Sequence, residues 1–486
     1  MTRAVEIRRG AYQDSVSLMQ LSRELTGRPD VTNVQVAMAT ELNLELLEQM
    51  GFEVPAEATP NDMVVAIEAP DDEAIAATRS ALDEALTRTP ARTDGWDDAT
   101  PPAPTLGAAA RRVDASLALV STPGRVAVVD AADALAAGLD VMVFSDNVSL
   151  DHEVALKDWA AELGLLVMGP DCGTAVVDGV GLGFANVVRP GPVGIVAASG
   201  TGAQQLLALL DGADVGVKHC LGVGGRDLSA PVAGRSTLAA LDRLAADDDV
   251  ETIVVISKPP APDVAARVTE HAKAFDKPAV IGYLGPGQPD LTTTAQRVAE
   301  AAGAAWTPPR RWGPQSPPPR DGFLRGLFSG GTLCDESMVL AVEHLGRVAS
   351  NIPLDGQSTL GHDLAGAGHT CIDFGDDQLT AGRPHPMIDP SLRLDRLERE
   401  LADPECAVVL LDVVLGHGAH PDPATDLSDV IAGSTTPVVV SLVGTRDDPQ
   451  GLEAQATRLA EAGAVVHASN AAATREALAI IEGPGQ

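Results

Sequence analysis

The sequence predicts an α/β protein of several domains, with parallel sheets covered by helices on both faces. Three observations predict it. From residue 114 onward, short runs rich in Val, Ile and Leu alternate with amphipathic helical stretches, as βαβ units do. The composition favours Ala, Gly, Val and Leu, with only 3% aromatic residues, which suits Val-rich buried strands. Two apolar runs feed Gly-rich turns that open helices, one at 193–210 and one at 324–345. At 486 residues the chain exceeds the usual size of one domain.

Residues 1–88 read as a small α/β module, with strands at 4–9, 32–38 and 63–67 and helices at 14–25, 40–50 and 72–86. The order suits a ferredoxin-like or ACT-like unit, read here as a packing or interaction module without chemistry of its own. Residues 89–113, with Pro-Pro-Ala-Pro and no periodicity, form a linker. Residues 114–188 are a Rossmann-like half, with strands at 117–120, 141–144 and 166–168 and helices at 125–137 and 152–163. No GxGxxG follows its first strand, so NAD is not expected.

A second alternating domain covers residues 189–305. Its strands fall at 193–198, 219–223, 252–257 and 279–284, and its helices at 203–211, 236–246, 262–274 and 294–302. A Pro- and Trp-rich linker, 306–322, leads to a third domain, 323–486. There the strands are 324–328, 370–374, 407–411, 437–442 and 465–467, with helices at 335–345, 391–402, 424–432 and 451–462. The second and third domains read as an internal duplication of fold. Ligands of such sheets bind at the carboxyl ends of the strands. Those ends carry Ser199–Gly202, Gly222–Ser229, Ser257–Pro260, Gly285–Gly287, Gly375–Asp377, Gly416–Asp422 and Gly444–Arg446.

The formal charge of −34 and pI near 4.5 argue against nucleic-acid or anionic-membrane binding. Five scattered cysteines (172, 220, 334, 371 and 406) without a CxxC spacing predict a reducing compartment and no disulfide framework. No secretory-signal pattern opens the sequence and no run of about 18 apolar residues occurs, which predicts a soluble, cytoplasmic protein.

The chemistry sits in the two Gly-rich turns. A strand that enters a small-residue turn and then a helix aims several N–H groups, and the positive end of the helix dipole, at one spot. Ser199, Gly200, Thr201 and Gly202 form one such turn, and Gly330, Gly331 and Thr332 the other. We expect both helix starts to face one phosphate; the alternative is a plain tight turn. Arg226 and Asp227, after Gly224 and Gly225, are candidates for substrate binding or for a turn-end salt bridge. His417 and His420 stand at a strand end as candidate acid–base residues, with loop stabilisation as the alternative. Their HxxH spacing lacks a third ligand, so no metal is predicted. His385 and Asp373 are further candidates. Cys172 is read either as a nucleophile or as buried packing.

Several segments, in order, resemble the succinyl-CoA synthetases. Met168-Gly-Pro-Asp-Cys-Gly is similar to the GPNCxG turn of the α subunit, and Gly194-Ile-Val-Ala-Ala-Ser-Gly-Thr to its GIVSRSGT helix start. Gly222-Val-Gly-Gly-Arg-Asp resembles GIGGDP, and Lys277-Pro-Ala-Val-Ile-Gly-Tyr-Leu resembles KPVVGYIAG. Towards the end, Ser329-Gly-Gly-Thr-Leu-Cys, Cys371-Ile-Asp-Phe-Gly and Val438-Val-Val-Ser-Leu-Val-Gly-Thr resemble NGAGLAM, NFLDVGG and VVVRLEGT of the β subunit. The whole chain, with Gly-Pro-Asp-Cys-Gly-Thr-Ala and Gly-Ala-His-Pro-Asp-Pro-Ala, is similar to the FdrA proteins.

The resemblance implies a CoA-binding-type Rossmann domain followed by two flavodoxin-like, succinyl-CoA-synthetase-type domains. In the synthetases the two matched helices flank the phosphate of a phosphorylated intermediate. The resemblance therefore implies inorganic phosphate at Ser199–Gly202 and Gly330–Thr332. It also implies substrate contacts at Asp171, Cys172, Gly173, Gly224, Gly225 and Asp227. For Ser121, Thr122, Pro123 and Gly124, CoA or another phosphate-bearing ligand and a relic turn both stay open.

The departures are equally informative. The synthetases phosphorylate a His in a GHAGA loop, but here Gly285-Pro-Gly-Gln-Pro-Asp290 has none. Ser257-Lys-Pro-Pro260 replaces their GEIGG loop, and residues 1–88 are too short for an ATP-grasp domain. FdrA proteins are linked to ureide and purine breakdown, where the implied reaction is carbamoyl transfer to phosphate with release of oxamate, by complexes with additional subunits. The expected function is therefore carbamoyl or acyl transfer to phosphate. The alternatives are a component of an NDP-forming acyl-CoA synthetase with a separate nucleotide-binding subunit, and a non-catalytic sensor of CoA or an acyl phosphate.

Overall fold

Residues of period two build the first sheet. Val34, Val36 and Met38 with Met63, Val65 and Ile67 bury one face, while Ala37, Val64 and Ala66 bury the other against Leu47 and Phe52. The structure is a computed structural model that describes all residues except 1, 12, 14, 54–57, 60, 61, 89–102, 355–357, 362, 381–383 and 482–486. It divides into two units, residues 1–102 with 380–389, and residues 103–379 with 390–486.

The first unit runs β1 (Thr2–Arg8), α1 (Ser15–Thr26), β2 (Asn33–Met38), α2 (Glu41–Gln49), β3 (Met63–Ala69) and α3 (Asp72–Arg88). Its sheet has the order β1-β3-β2, with β3 antiparallel to both neighbours. β1-α1-β2 is thus a split βαβ unit, the ferredoxin-like alternative of the sequence reading.

The second unit opens with α4 (Leu106–Ala110), capped by Thr105 and tied by the Gly107 amide to Asp133 at 2.6 Å. This helix corrects the expectation of linker over 89–113; the 89–102 part of that expectation lies outside the described residues. The Rossmann-like sheet is β4 (Leu117–Val120), β5 (Asp140–Val143) and β6 (Val167–Met168), all parallel, with α5 (Gly124–Ala136) and α6 (Leu150–Leu163) between them.

The chain then forms a hairpin, β7 (Thr174–Val177) and β8 (Val180–Gly183), turned by Asp178 (φ 49°) and Gly179 (φ 76°). The hairpin joins the next sheet antiparallel to β10, so it belongs with that sheet and not with the Rossmann-like half. That sheet contains β9 (Val193–Ala198), β10 (Val217–Gly222), β11 (Thr252–Ser257) and β12 (Ala279–Tyr283). Its helices are α7 (Gly200–Gly212), α8 (Arg235–Ala246), α9 (Pro262–Lys273) and α10 (Leu291–Ala301). The strand order is β12-β11-β9-β10-β7-β8. Numbered along the chain, its parallel part runs 2-1-3-4, the flavodoxin-like doubly wound order.

The third sheet repeats this order with β14 (Phe323–Phe328) first in the chain. β13 (Arg311–Trp312) pairs antiparallel at its far edge, so the predicted linker 306–322 contributes a strand. α11 (Gly331–Leu345), β15 (Ala349–Ser350), β16 (Thr370–Asp373), α12 (Asp377–Thr380), α13 (Ser391–Ala402) and β17 (Cys406–Val414) follow. The chain ends with α14 (Pro423–Ile431), β18 (Val438–Val443), α15 (Leu452–Glu461), β19 (Val465–His467) and α16 (Asn470–Ile481). The order is β13-β19-β18-β17-β14-β16-β15. In both doubly wound sheets the chain reverses direction of travel beside the first strand, between β9 and β11 and between β14 and β17.

Candidate functional site at the facing helix tips

Two helix starts meet. α7 begins at Gly200 and α11 at Gly331, three and four residues earlier than periodicity indicated. Thr201, Gly202 and Thr332 are therefore first-turn helix residues and not turn residues. The Ser199 side chain wins the local competition, because its Oγ caps the Gly202 amide at 3.0 Å. The same hydroxyl donates to Thr332 Oγ1 of the other helix at 2.8 Å. A Cβ at Gly330 would lie 2.5 Å from Thr201 Oγ1, and one at Gly202 2.9 Å from the Thr332 methyl, so glycine permits the approach. Two positive dipole ends converge, as the sequence suggested.

The gap between them is not a bare anion cradle. Asp412 projects from β17 and accepts from the Ser329 amide (2.8 Å), Ser329 Oγ (2.8 Å) and the Gly330 amide (3.0 Å). It is paired in turn with buried Arg393 at 2.6 Å. This corrects the expectation that the Gly330 amide faces phosphate: a buried carboxylate already satisfies it. A Cβ at Gly331 would lie 2.7 Å from Asp373 Oδ2 and 3.0 Å from Lys258 Nζ. Lys258 crosses from the end of β11 and sits 3.4 Å from Asp335 Oδ2 on α11. Burial pushes the Asp373 carboxyl up to about 7, against the pull of Lys258. Burial also raises Asp335. Burial opposes the Lys258 ammonium, but Asp335, Asp373 and Asp171 together hold its pKa above the usual lysine value.

Three turns pack together, two from the Rossmann-like sheet and one from the first flavodoxin-like sheet. Gly224 (φ +88°) packs on Gly169 and Pro170, where a Cβ would lie 3.1 Å from Gly169 Cα. Asp171, at φ 58°, anchors its amide to Ser145 O at 2.9 Å. Its carboxyl is surface-exposed yet crowded by protein, and burial pushes it up to about 7 with help from Asp377 and Asp146. Lys258 and Arg226 pull the other way. Arg226 donates to Val148 O at 2.8 Å and pairs with buried Glu153 at 2.9 Å, while about half of its side chain stays exposed.

The other candidates separate. Asp227 is fully buried; it takes Lys157 (2.8 Å), the Ser236 and Thr237 amides and Thr237 Oγ1. That corrects its expected substrate role to a staple at the start of α8. Cys172 is buried, donates to Thr174 O at 3.5 Å, and has its thiol pushed far up by burial, as the packing alternative expects. Gly173 accepts through its carbonyl from the Phe184 amide, and Gly225 lies beside Asp171.

Thr122 Oγ1 donates to Asp130 at 2.7 Å, Ser145 Oγ donates to Thr122 O at 2.5 Å, and Gly124 abuts the Asp146 carbonyl. Ser121 and Pro123 are exposed on that turn. His417 and His420 stand on a loop packed against residues 181–186. The His417 amide donates to Ala185 O, and His420 Nδ1 accepts from the Asp422 amide at 3.1 Å. His385 Nδ1 accepts from the Met387 amide at 3.2 Å within its own segment.

Sequence reasoning missed Lys258, Asp335, Asp412 and Arg393. Lys258 carried a signal, being one of five lysines and standing at a strand end. The loop before α10 is fastened across the sheets. The Leu291 amide donates to Glu336 Oε1 at 2.6 Å, Asn470 Nδ2 donates to Glu336 Oε2 at 2.8 Å, and Asp290 pairs with Arg475 at 2.6 Å. Farther out, Asp448 accepts from Asn186 Nδ2 at 2.8 Å, and Gln205 bonds Ala468 and Asn470.

Two flavodoxin-like sheets meet through their helix starts, and the sequence is related to those of CoA ligases. Residues 327–480 match the CoA-ligase family, and residues 1–102 match the family described as AllF, heavy metal-associated domain. Those 102 residues contain neither cysteine nor histidine. The chain belongs to the family of the uncharacterized protein YahF of Escherichia coli K12, with 37% identity over 505 residues and 97% of each chain covered. The α subunit of the ADP-forming succinate–CoA ligase of Methanothermobacter thermautotrophicus is 27% identical over 152 residues, 31% of this chain and half of that subunit. A solved dinucleotide-forming acetyl-coenzyme A synthetase 1 of Ca. Korarchaeum cryptofilum, in complex with phosphate and ADP, aligns with a TM-score of 0.29 at 17% identity, over 80% of this chain and 86% of that one. Among the described residues no helix is long and apolar enough to cross a membrane.

Proposed function

We propose that this chain is the FdrA-type subunit of an enzyme that transfers a carbamoyl or acyl group to inorganic phosphate. Its reaction is phosphorolysis of an oxalurate-like N-carbamoyl carboxylate to carbamoyl phosphate and oxamate, in purine and ureide nitrogen catabolism. Additional subunits complete the enzyme. The observation that carries this reading is the meeting of two helix amino ends within one polypeptide, Ser199 to Thr332 at 2.8 Å, beside a 285–290 loop without histidine. Two dipole ends of about half a charge each favour phosphate. Ser199 caps the Gly202 amide and Asp412 takes the Gly330 amide, so the donors left for an anion are the Gly200, Thr201, Gly331 and Thr332 amides, which have no intrahelical acceptor. A chain without the phosphohistidine carrier suits direct attack by phosphate. Donors preset around the developing oxyanion supply the main stabilisation of such a step.

A second reading, a component of an NDP-forming acyl-CoA synthetase with a separate nucleotide-binding subunit, is favoured by the CoA-ligase match over residues 327–480. Co-expression with the neighbouring gene products separates the two. Oxamate release from oxalurate that requires phosphate alone supports the first. Turnover that requires CoA and nucleotide overturns it in favour of the second.

A further inference from the structure

One buried carboxylate oxygen at the helix tips lacks a donor. Asp373 ends β16 and is only 5% exposed. Asn351 brackets its backbone, donating through Nδ2 to Asp373 O at 2.8 Å and accepting at Oδ1 from the Asp373 amide at 2.9 Å. The Gly375 amide donates to Asp373 Oδ1 at 2.9 Å, while Oδ2 receives no hydrogen bond or ion pair among the described residues. Oδ2 is aimed at the first residue of α11. It lies 2.7 Å from the position a Cβ on Gly331 would take, and Lys258 Nζ lies 3.0 Å from that same position. The two do not pair; Asp335 holds the ammonium instead, at 3.4 Å. Gly331 is partly exposed and 37% of the Lys258 side chain is open, so this corner of the Ser199–Thr332 meeting point is accessible to a ligand.

We propose that Asp373 reads the amino group of the carbamoyl unit, accepting one of its N–H bonds at Oδ2, and that the site thereby selects carbamoyl over acetyl-type groups while Lys258 holds the adjoining phosphate oxygens. The proposal rests on the phosphorolysis reading above and deepens it by naming what sets the substrate class. A ligand at this corner meets three positive features, the amino ends of α7 and α11 and the Lys258 ammonium, together with one buried acceptor. An acetyl phosphate engages only the positive features and leaves a methyl against the carboxylate. A carbamoyl phosphate engages all four. A site built to hydrogen-bond an N–H rejects the analogue that lacks it, because the buried acceptor is then left unpaired.

Glycine at 331 belongs to the device, since any Cβ there would fill the point that Oδ2 and Nζ share. The charged groups facing Asp373 are Lys258 after β11, Asp335 on α11 and Asp412 on β17. Burial lifts the carboxyl to about 7, so at pH 8 it is mainly in its accepting form. Neither residue makes or breaks a bond; both position the group that reacts.

The test is calorimetric titration of the co-expressed complex at pH 8 with two stable probes, phosphonoacetamide and acetonylphosphonate, which differ by an amino group against a methyl. Wild type is expected to bind the amide about 10–100-fold more tightly, as a hydrogen bond to a charged acceptor supplies. In Asp373→Asn the Gly375 amide keeps the side-chain oxygen at the Oδ1 position and leaves an NH2 where Oδ2 stood. The preference is then expected to fall below about threefold, with acetonylphosphonate bound at least as tightly as by wild type. Lys258→Gln is expected to weaken both probes about 10–100-fold. Melting curves that show a cooperative transition establish that each variant is folded. An unchanged preference in Asp373→Asn, or a wild type that releases oxamate with phosphate yet shows no preference, overturns this inference alone. A wild type that binds neither probe and turns over only with CoA and nucleotide overturns the phosphorolysis reading, and this assignment with it.

Discussion

Replacing Gly330 with alanine tests the contact on which the functional reading depends. Gly330 has φ −123° and ψ 114°, which alanine adopts without backbone cost. The new methyl would lie 2.5 Å from Thr201 Oγ1 and Cγ2 and 2.7 Å from Thr201 Cβ. Relief requires about 1 Å of separation between α7 and α11, and overpacking of this kind costs about 1–3 kcal/mol. For a transition of this size the midpoint falls by roughly 2–10 °C. Thr201→Gly removes all three opposing atoms, so in that background Gly330→Ala should cost under about 0.5 kcal/mol, a coupling of about 1–2 kcal/mol. The assay is urea unfolding of the four proteins of the cycle, followed by far-ultraviolet circular dichroism. An equal cost in both backgrounds, or none in either, would refute the convergence of the helix tips.

Asp373→Asn should stabilise the protein increasingly with pH. The folded carboxyl titrates near 7 against an ordinary 3.8, so the benefit of its neutral form is complete below about pH 4 and lost as pH rises through 7. The ceiling is about 4 kcal/mol at pH 8, a figure that already includes the attraction of Lys258, and urea midpoints at pH 4 and pH 8 measure the difference. The same carboxyl should make phosphate binding tighter below pH 7 than above it, as calorimetric titration with inorganic phosphate would show. Asp412→Ala leaves Arg393 buried and unpaired and strips the Ser329 and Gly330 amides, so it should cost about 3–5 kcal/mol in urea unfolding. Burial pushes the thiols of Cys220, Cys371 and Cys406 up to about 12, and all five cysteines are buried. Ellman's reagent at pH 8 should therefore find almost no thiol before denaturant is added, and five after.

The strands of both doubly wound sheets were legible because their apolar runs are bounded by Gly, Pro and Asp. The helix starts were placed late because Gly-Thr-Gly and Gly-Thr read as turn, whereas Ser199 folds them into the first helical turn. The β7–β8 hairpin carried a readable signal, Asp178-Gly179 between two Val-containing runs, which was masked by the short apolar stretches around it. Asp412 was legible in principle, as an acid inside Leu-Leu-Asp-Val-Val, since a charge in a buried strand demands a partner. That partner, Arg393, and the approach of Lys258 to Asp335 join residues 19 and 77 positions apart through tertiary structure. No local pattern encodes them. Asp227 misled for the same reason, because its neighbours Lys157 and Thr237 come from other elements.

Pinning the start of α10 to Glu336 and Arg475 has a logistical consequence. A segment moored at that end cannot swing away without releasing both fastenings. The cross-sheet anchors thus make the end of the 285–290 turn a fixed fitting instead of a travelling arm.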